Sequence, residues 1–127
     1  MRLAIDTNRY RDFCEGQDEI KERLQIAEMI FMPFPVLAEL RAGFACGNIP
    51  HENERTLCLF LDRPRVHLLF ANEETTIHYG QIYAQLRKQG TPIPANDIWI
   101  GALVMQHRLR LLTRDSHFQH LPQLPLV

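Results

Sequence analysis

The chain has 127 residues, 46% hydrophobic and 23% charged, with a formal net charge of -1; it is one domain's worth, expected over residues 1–127, and neither a disordered chain nor one that holds nucleic acid by bulk positive charge. Its longest apolar runs, LCLFL and LLFA, are far short of the ~20 residues that span a bilayer, and Asp6 falls where a signal peptide needs apolar residues, so a cytoplasmic location is expected. Cys14, Cys46 and Cys58 form no CxxC pair, which argues against a disulfide framework or structural zinc and leaves buried free thiols as the expectation.

In chain order, Arg2 to Ile5 reads as a short strand that stops on Asp6, with Thr7 and Asn8 next. Helical segments follow, the clearer being QDEIKERLQIAEMI, where Ile20, Leu24 and Ala27 recur at helical spacing. MIFMP reads as a second strand, and Pro35 opens a third helix, PVLAELRAGF. Pro50 similarly opens HENERTLCLFL, whose apolar side suits either the core or a dimer contact. After the strand RVHLLF, Asn72 is a predicted N-cap, with Glu73 and Glu74 favoured by the helix dipole and Gly90 as C-cap. The stretch DIWIGALVMQH predicts a last helix and RLRLLT a fourth strand. Short apolar strands alternating with helices predict an α/β fold with a mostly parallel sheet covered on both faces.

Ligands of such sheets collect outside the carboxyl ends of the strands, where strand order reverses. Asp6 and Asp115 follow the first and fourth strands, Asp97 lies in the first turn of the helix before the fourth strand, and Glu39 sits inside the third helix among Leu37, Ala38 and Leu40. Singly, these read as turn residues, a dipole-matched carboxylate and a solvated glutamate near Arg41. Jointly, convergent carboxylates repel one another and call for a cation. Mg2+ or Mn2+ suits oxygen ligands and leaves room for a phosphate oxygen and a water, the inventory for phosphodiester hydrolysis.

The segments AIDTN, LAELRAG, PANDIWIGA and LLTRDSHF, in that order and at those intervals, resemble the four acidic motifs of the PIN domain. Nearly the whole chain is similar to the toxins of VapBC toxin–antitoxin pairs. The resemblance implies a three-layer α/β/α fold and a metal-dependent endoribonuclease acting on RNA. It also implies a homodimer and inhibition by a cognate VapB-like antitoxin. Carried over by position, Asp6, Glu39, Asp97 and Asp115 are the metal-site and catalytic acids, with Thr7, Asn8 and Thr113 as polar support.

Where the family commonly has small or apolar residues after Asp-Thr-Asn, this chain has RYRDF. Arg9 and Tyr10 are therefore candidate substrate contacts, arginine forking onto phosphate and the ring stacking on a base; solvated arginines and a packed tyrosine are the alternative. Arg108, Arg110 and Arg114 are candidates for a positive rim. DSHFQH offers His117 and His120, but without a second ligand pair a zinc site is not expected, and Ser116 reads as a cap. Met29, Met32, Met105 and Trp99 read as core. The rival functions are a catalytically silent PIN-like module that binds RNA or protein, and a phosphoacceptor receiver domain. The second lacks an acidic pair after the first strand and a late-strand lysine.

Overall fold

The computed structural model describes residues 1–127. Strands β1 (Arg2–Ile5), β2 (Met29–Pro33), β3 (Val66–Leu69) and β4 (Arg110–Leu112) alternate with helices α1 (Thr7–Cys14), α2 (Asp18–Ile26), α3 (Phe34–Ala45), α4 (Pro50–Leu61), α5 (Glu73–Gln89) and α6 (Ala95–His107). A 3-10 turn follows at Ser116–His120. The sheet order is β3-β2-β1-β4 and every pair is parallel. The chain winds outward from β1 to β3 and then crosses back to place β4 on the other side of β1. Right-handed crossovers therefore put α1 to α4 on one face and α5 and α6 on the other, giving three layers.

Strand order reverses between β1 and β4, which opens a crevice at their carboxyl ends. Ile5 pairs with Leu112, and the Asp6 amide donates to the Leu112 carbonyl at 3.0 Å, so Asp6 and Thr113 emerge side by side. Leu3, Ala4 and Ile5, flanked by Leu109, Leu111, Leu112, Ile100 and Leu103, are fully buried, which explains why β1 and β4 are apolar without alternation. Residues 125–127 run beside β4, where the Leu111 amide donates to the Pro125 carbonyl and the Val127 amide to the Leu111 carbonyl, both at 2.9 Å. That segment covers an otherwise open sheet edge.

The helix signals act as their chemistry dictates. Asn72 and Thr75 form a reciprocal capping box, and Gly90 ends α5 at φ 73°. Three boundaries differ from the sequence reading. Helix α2 stops at Ile26 because Ala27 is extended and leads into β2. Helix α6 begins at Ala95, immediately after Pro94, whose ring fixes a φ suited to helix entry. Arg108 takes a left-handed conformation that closes α6, so β4 starts only at Arg110.

The three cysteines, expected to be buried, are exposed: Cys14 and Cys46 lie at helix ends and Cys58 on the outer side of α4. Leu57 and Phe60 of α4 face the core while Leu59 faces outward. Met32 is fully buried, whereas Met29, Met105 and Trp99 are only partly so, Trp99 packing against Tyr79 with ring centroids 4.4 Å apart. No helix is long and apolar enough to cross a membrane.

Candidate active site

At the crevice, Asp6 ends β1 and caps α1. It accepts the Thr7 amide at 2.8 Å, the Thr113 hydroxyl at 2.7 Å and the Asn8 amide group at 3.3 Å. Burial pushes its carboxyl above the usual aspartate value, and nearby Glu39 and Asp115 add to that, while the Thr113 and Thr7 donors pull the other way. Asp97, nearly buried in the first turn of α6, is pushed up to about 6, first by burial and then by Asp115 and Asp6, against a hydrogen bond from His117. Asp115 caps the 3-10 turn by accepting the His117 amide at 3.0 Å, the role expected of the exposed Ser116.

Glu39 reaches the same space from α3. It accepts the Thr7 hydroxyl at 2.7 Å and the Asn96 amide group at 3.2 Å. Arg41, the anticipated partner of Glu39, instead pairs with Glu54 at 3.0 Å. The structure thus brings Asp6, Glu39, Asp97 and Asp115 together around one open cavity of about 530 Å³, which Thr7, Asn8, Arg11, Asn96 and His117 also line. An apolar hollow beside Tyr83, Leu86 and Ile93 contains no carboxylate and offers no comparable chemistry.

Two side chains of this cavity escaped the sequence reading. His117 Nδ1 lies 2.8 Å from Asp97 Oδ2 and 3.2 Å from Asp115 Oδ1, and the bond to Asp97 raises its pKa. The signal was present in DSHFQH, but it was weighed as a His117–His120 pair. His120 points elsewhere and uses its carbonyl to accept from Gln89. Asn96 had no sequence signal beyond its position before Asp97.

The residues around RYRDF divide differently from expectation. Tyr10 is 2% exposed and its ring meets Phe60 edge-on at 5.2 Å, so no face is open to stack on a base. It is a core residue. Arg9 turns away from the carboxylates to Asp12, at 3.1 Å. Asp12 is nearly buried and also takes a two-pronged bond from Arg114, at 3.0 and 3.2 Å, and a bond from Gln17 at 3.3 Å. Of the anticipated basic rim, only Arg114 is near the site. Arg110 opens β4 at the opposite end of the sheet, and Arg108 precedes it.

The donor set fits a hard divalent cation. Ligand atoms of Asp97, Asp115 and His117 all lie within 4.8 Å of one another, and the carboxyls of Asp6 and Asp97 are raised first by burial and further by their acidic neighbours, a cost that a bound cation would offset. Thr113 links two of the acids, donating to Asp6 and accepting the Asp115 amide at 3.0 Å. Thr113→Val is therefore expected to lower stability by about 1–2 kcal/mol and Mn2+ affinity by about 10–100-fold. Thr113→Ser should restore both, as read by thermal melts and calorimetric titration.

Comparison with known proteins gives a consistent picture. A PIN domain family model matches residues 5–124. The chain is 34% identical to ribonuclease VapC1 of Haemophilus influenzae strain R2866 over 99 residues, which cover 76% of this chain and 72% of that protein. It is 26% identical to ribonuclease VapC4 of Mycobacterium tuberculosis over 91 residues, 72% of this chain and 70% of the relative. Among solved structures, VapBC-1 from nontypeable Haemophilus influenzae superposes with a TM-score of 0.88 at 29% identity, over 100% of this chain and 97% of the other. VapBC2 of Rickettsia felis, solved on a promoter DNA fragment, gives a TM-score of 0.89 at 24% identity, over 100% and 98% of the two chains, a likeness of fold.

Proposed function

The chain belongs to the PIN domain family, and from that premise we propose that it is a metal-dependent endoribonuclease, the toxin of a VapBC-type toxin–antitoxin pair. The observation that carries this reading is the convergence of Asp6, Glu39, Asp97 and Asp115 on one open cavity at the carboxyl ends of β1 and β4. Names and assemblies of the relatives support it: ribonuclease VapC1 at 34% identity and the VapBC-1 complex at 29%. A VapB-like antitoxin and a homodimer belong to the same reading, as does a single-domain organisation over residues 1–127.

Asp6, Asp97 and Asp115 would hold a Mg2+ or Mn2+ ion, with His117 beside them as a nitrogen donor. When bound, the ion supplies Lewis acidity toward water and the scissile phosphate and offsets the charge that would otherwise repel RNA. The protein's own contribution is preorganisation. Thr7, Asn8 and Thr113 fix Asp6, while His117 orients Asp97 and Asp115 toward the same space. Glu39, held by Thr7 and Asn96 on the facing wall, would accept a proton from the attacking water. The water oxygen forms the new bond to phosphorus as its proton passes to Glu39, the bond from phosphorus to the ribose oxygen breaks, and that oxygen takes up a proton from solvent.

The test is cleavage of single-stranded RNA by the purified protein in Mn2+ or Mg2+, in excess EDTA, and after Mn2+ is restored. Cleavage is expected in the first and third conditions only. Activity persisting in EDTA contradicts metal dependence. Binding without cleavage in every condition identifies a silent RNA-binding module instead.

A further inference from the structure

Three arginines stand near the mouth of the cleft, and two are already committed. Arg9 and Arg114 both pair with Asp12, which drains their charge into the protein. Arg11 forms no salt bridge anywhere in the chain, is exposed, and is the one arginine among the residues lining the acidic cavity. Its position follows from helical spacing. Thr7 and Arg11 are four residues apart on α1, hence on one face, as are Glu39 and Gly43 on α3. Thr7 bonds Glu39, and one turn further along both helices Arg11 lies against Gly43. A Cβ at Gly43 would sit 3.0 Å from Arg11 Nη2, so the glycine leaves the space in which the guanidinium rests. Arg11 also borders a second hollow, of about 430 Å³, that continues between α1, α3 and α4 past Leu40, Phe44 and Asn53. It therefore stands where the acidic cleft passes into that groove.

We propose that Arg11 is a substrate-binding residue that grips a backbone phosphate of single-stranded RNA flanking the bond to be cut, seated by Gly43. The proposal rests on the nuclease reading above and names the contact through which the substrate is held. A guanidinium matches phosphate with two parallel donors, and it is the charge type that four clustered carboxylates lack. Its separation from those acids by a helical turn lets it take the neighbouring phosphate without competing for the scissile one.

The experiment measures kcat and KM for a fluorescently labelled mixed-sequence oligoribonucleotide in saturating Mn2+ across a NaCl series. Mn2+ affinity is read in parallel by calorimetry, and folding by thermal melts. Arg11→Ala is expected to raise KM about three- to tenfold at unchanged kcat and Mn2+ affinity. The slope of log kcat/KM against log salt should become shallower by about 0.7, the value for one phosphate contact on a single strand. Arg11→Lys should keep most of that slope. Gly43→Ala, which changes no charge, should raise KM in the same direction. An Arg11→Ala protein that cleaves with the parental KM and salt slope overturns the proposal alone, as does one whose only defect is weaker binding of a VapB-like antitoxin. A parental protein that fails to cut RNA in Mn2+ overturns the nuclease reading, and the proposal with it.

Discussion

Replacing Asp97 by Asn is expected to lower RNA cleavage by about 10²–10³-fold while making the ion-free protein more stable at neutral pH. The two effects share a cause. Asp97 is buried beside Asp115 and Asp6, and its carboxyl is pushed up to about 6, so ionising it in the folded state is unfavourable unless a cation is present. A carboxyl whose folded pKa exceeds its unfolded one contributes stability below the unfolded value and loses it as pH rises through the folded one. The His117 imidazolium, raised by the same hydrogen bond, acts in the same sense, contributing at low pH and losing its contribution as pH climbs past its ordinary value. The ion-free parental protein should therefore lose stability between about pH 4 and pH 7. Asn at position 97 should flatten that slope and add on the order of 1–2 kcal/mol at pH 7, the lost hydrogen-bond strength to His117 offsetting part of the gain. Saturating Mn2+ should flatten it in the parental protein only. Melts in EDTA and in Mn2+ at several pH values check both halves. Parental cleavage by Asp97→Asn in Mn2+ would falsify the ligand assignment.

Asp12→Ala is expected to destabilise the protein by about 2–4 kcal/mol, because it strips a nearly buried carboxylate from Arg9, Arg114 and Gln17 at once. The Arg9 Nε atom already lies buried without a hydrogen-bond partner, so losing the carboxylate leaves that guanidinium still less satisfied. Arg114 is largely exposed and recovers hydration, which keeps the effect below that of a fully enclosed pair. The Asp12 carboxyl is held below the usual value by Arg114 and Arg9, so its contribution is present above the unfolded aspartate pKa and fades as pH falls through the folded one. Urea unfolding at pH 7 and near pH 3 should accordingly show a smaller difference between parental and Asp12→Ala proteins in acid. Equal differences at both pH values would mean that packing, not charge, accounts for the loss.

The order of elements was readable because local chemistry sets it. Pro35 and Pro50 open helices, Asn72 and Gly90 bracket α5, and the apolar runs at Arg2–Ile5 and Met29–Pro33 are strands buried in a parallel sheet. The meeting of Asp6 and Asp115 was legible for a topological reason, since the addresses after β1 and β4 point to one crevice, whereas Glu39 and Asp97 were assigned to it through the resemblance of their segments to the PIN motifs. Partnerships across long sequence separations were not. Nothing near Arg114 announces Asp12 as its partner, and nothing near Tyr10 announces Phe60, so the first was offered as part of a positive rim and the second was left open between a stacking ring and a packed one. His117 was visible yet misjudged, because its partners lie on α6 and at the turn's own cap and not at His120.

The Asp6 amide, bonded to the Leu112 carbonyl where β1 and β4 meet, gives the cleft two walls with different freedom to change over evolutionary time. On the sheet wall, Asp6 and Thr113 are continuous with fully buried β1 and β4, so a substitution there is tested first by whether the chain folds. On the helix wall, Arg11 and Gly43 lie on exposed surface, where exchange of a side chain leaves the core untouched. Lineages sharing this architecture are thus free to diversify what they grip at positions such as Arg11 while Asp6 and Thr113 are held by folding itself, and within RYRDF only the exposed Arg11, not buried Tyr10 and Asp12, lies where such drift leaves the core intact.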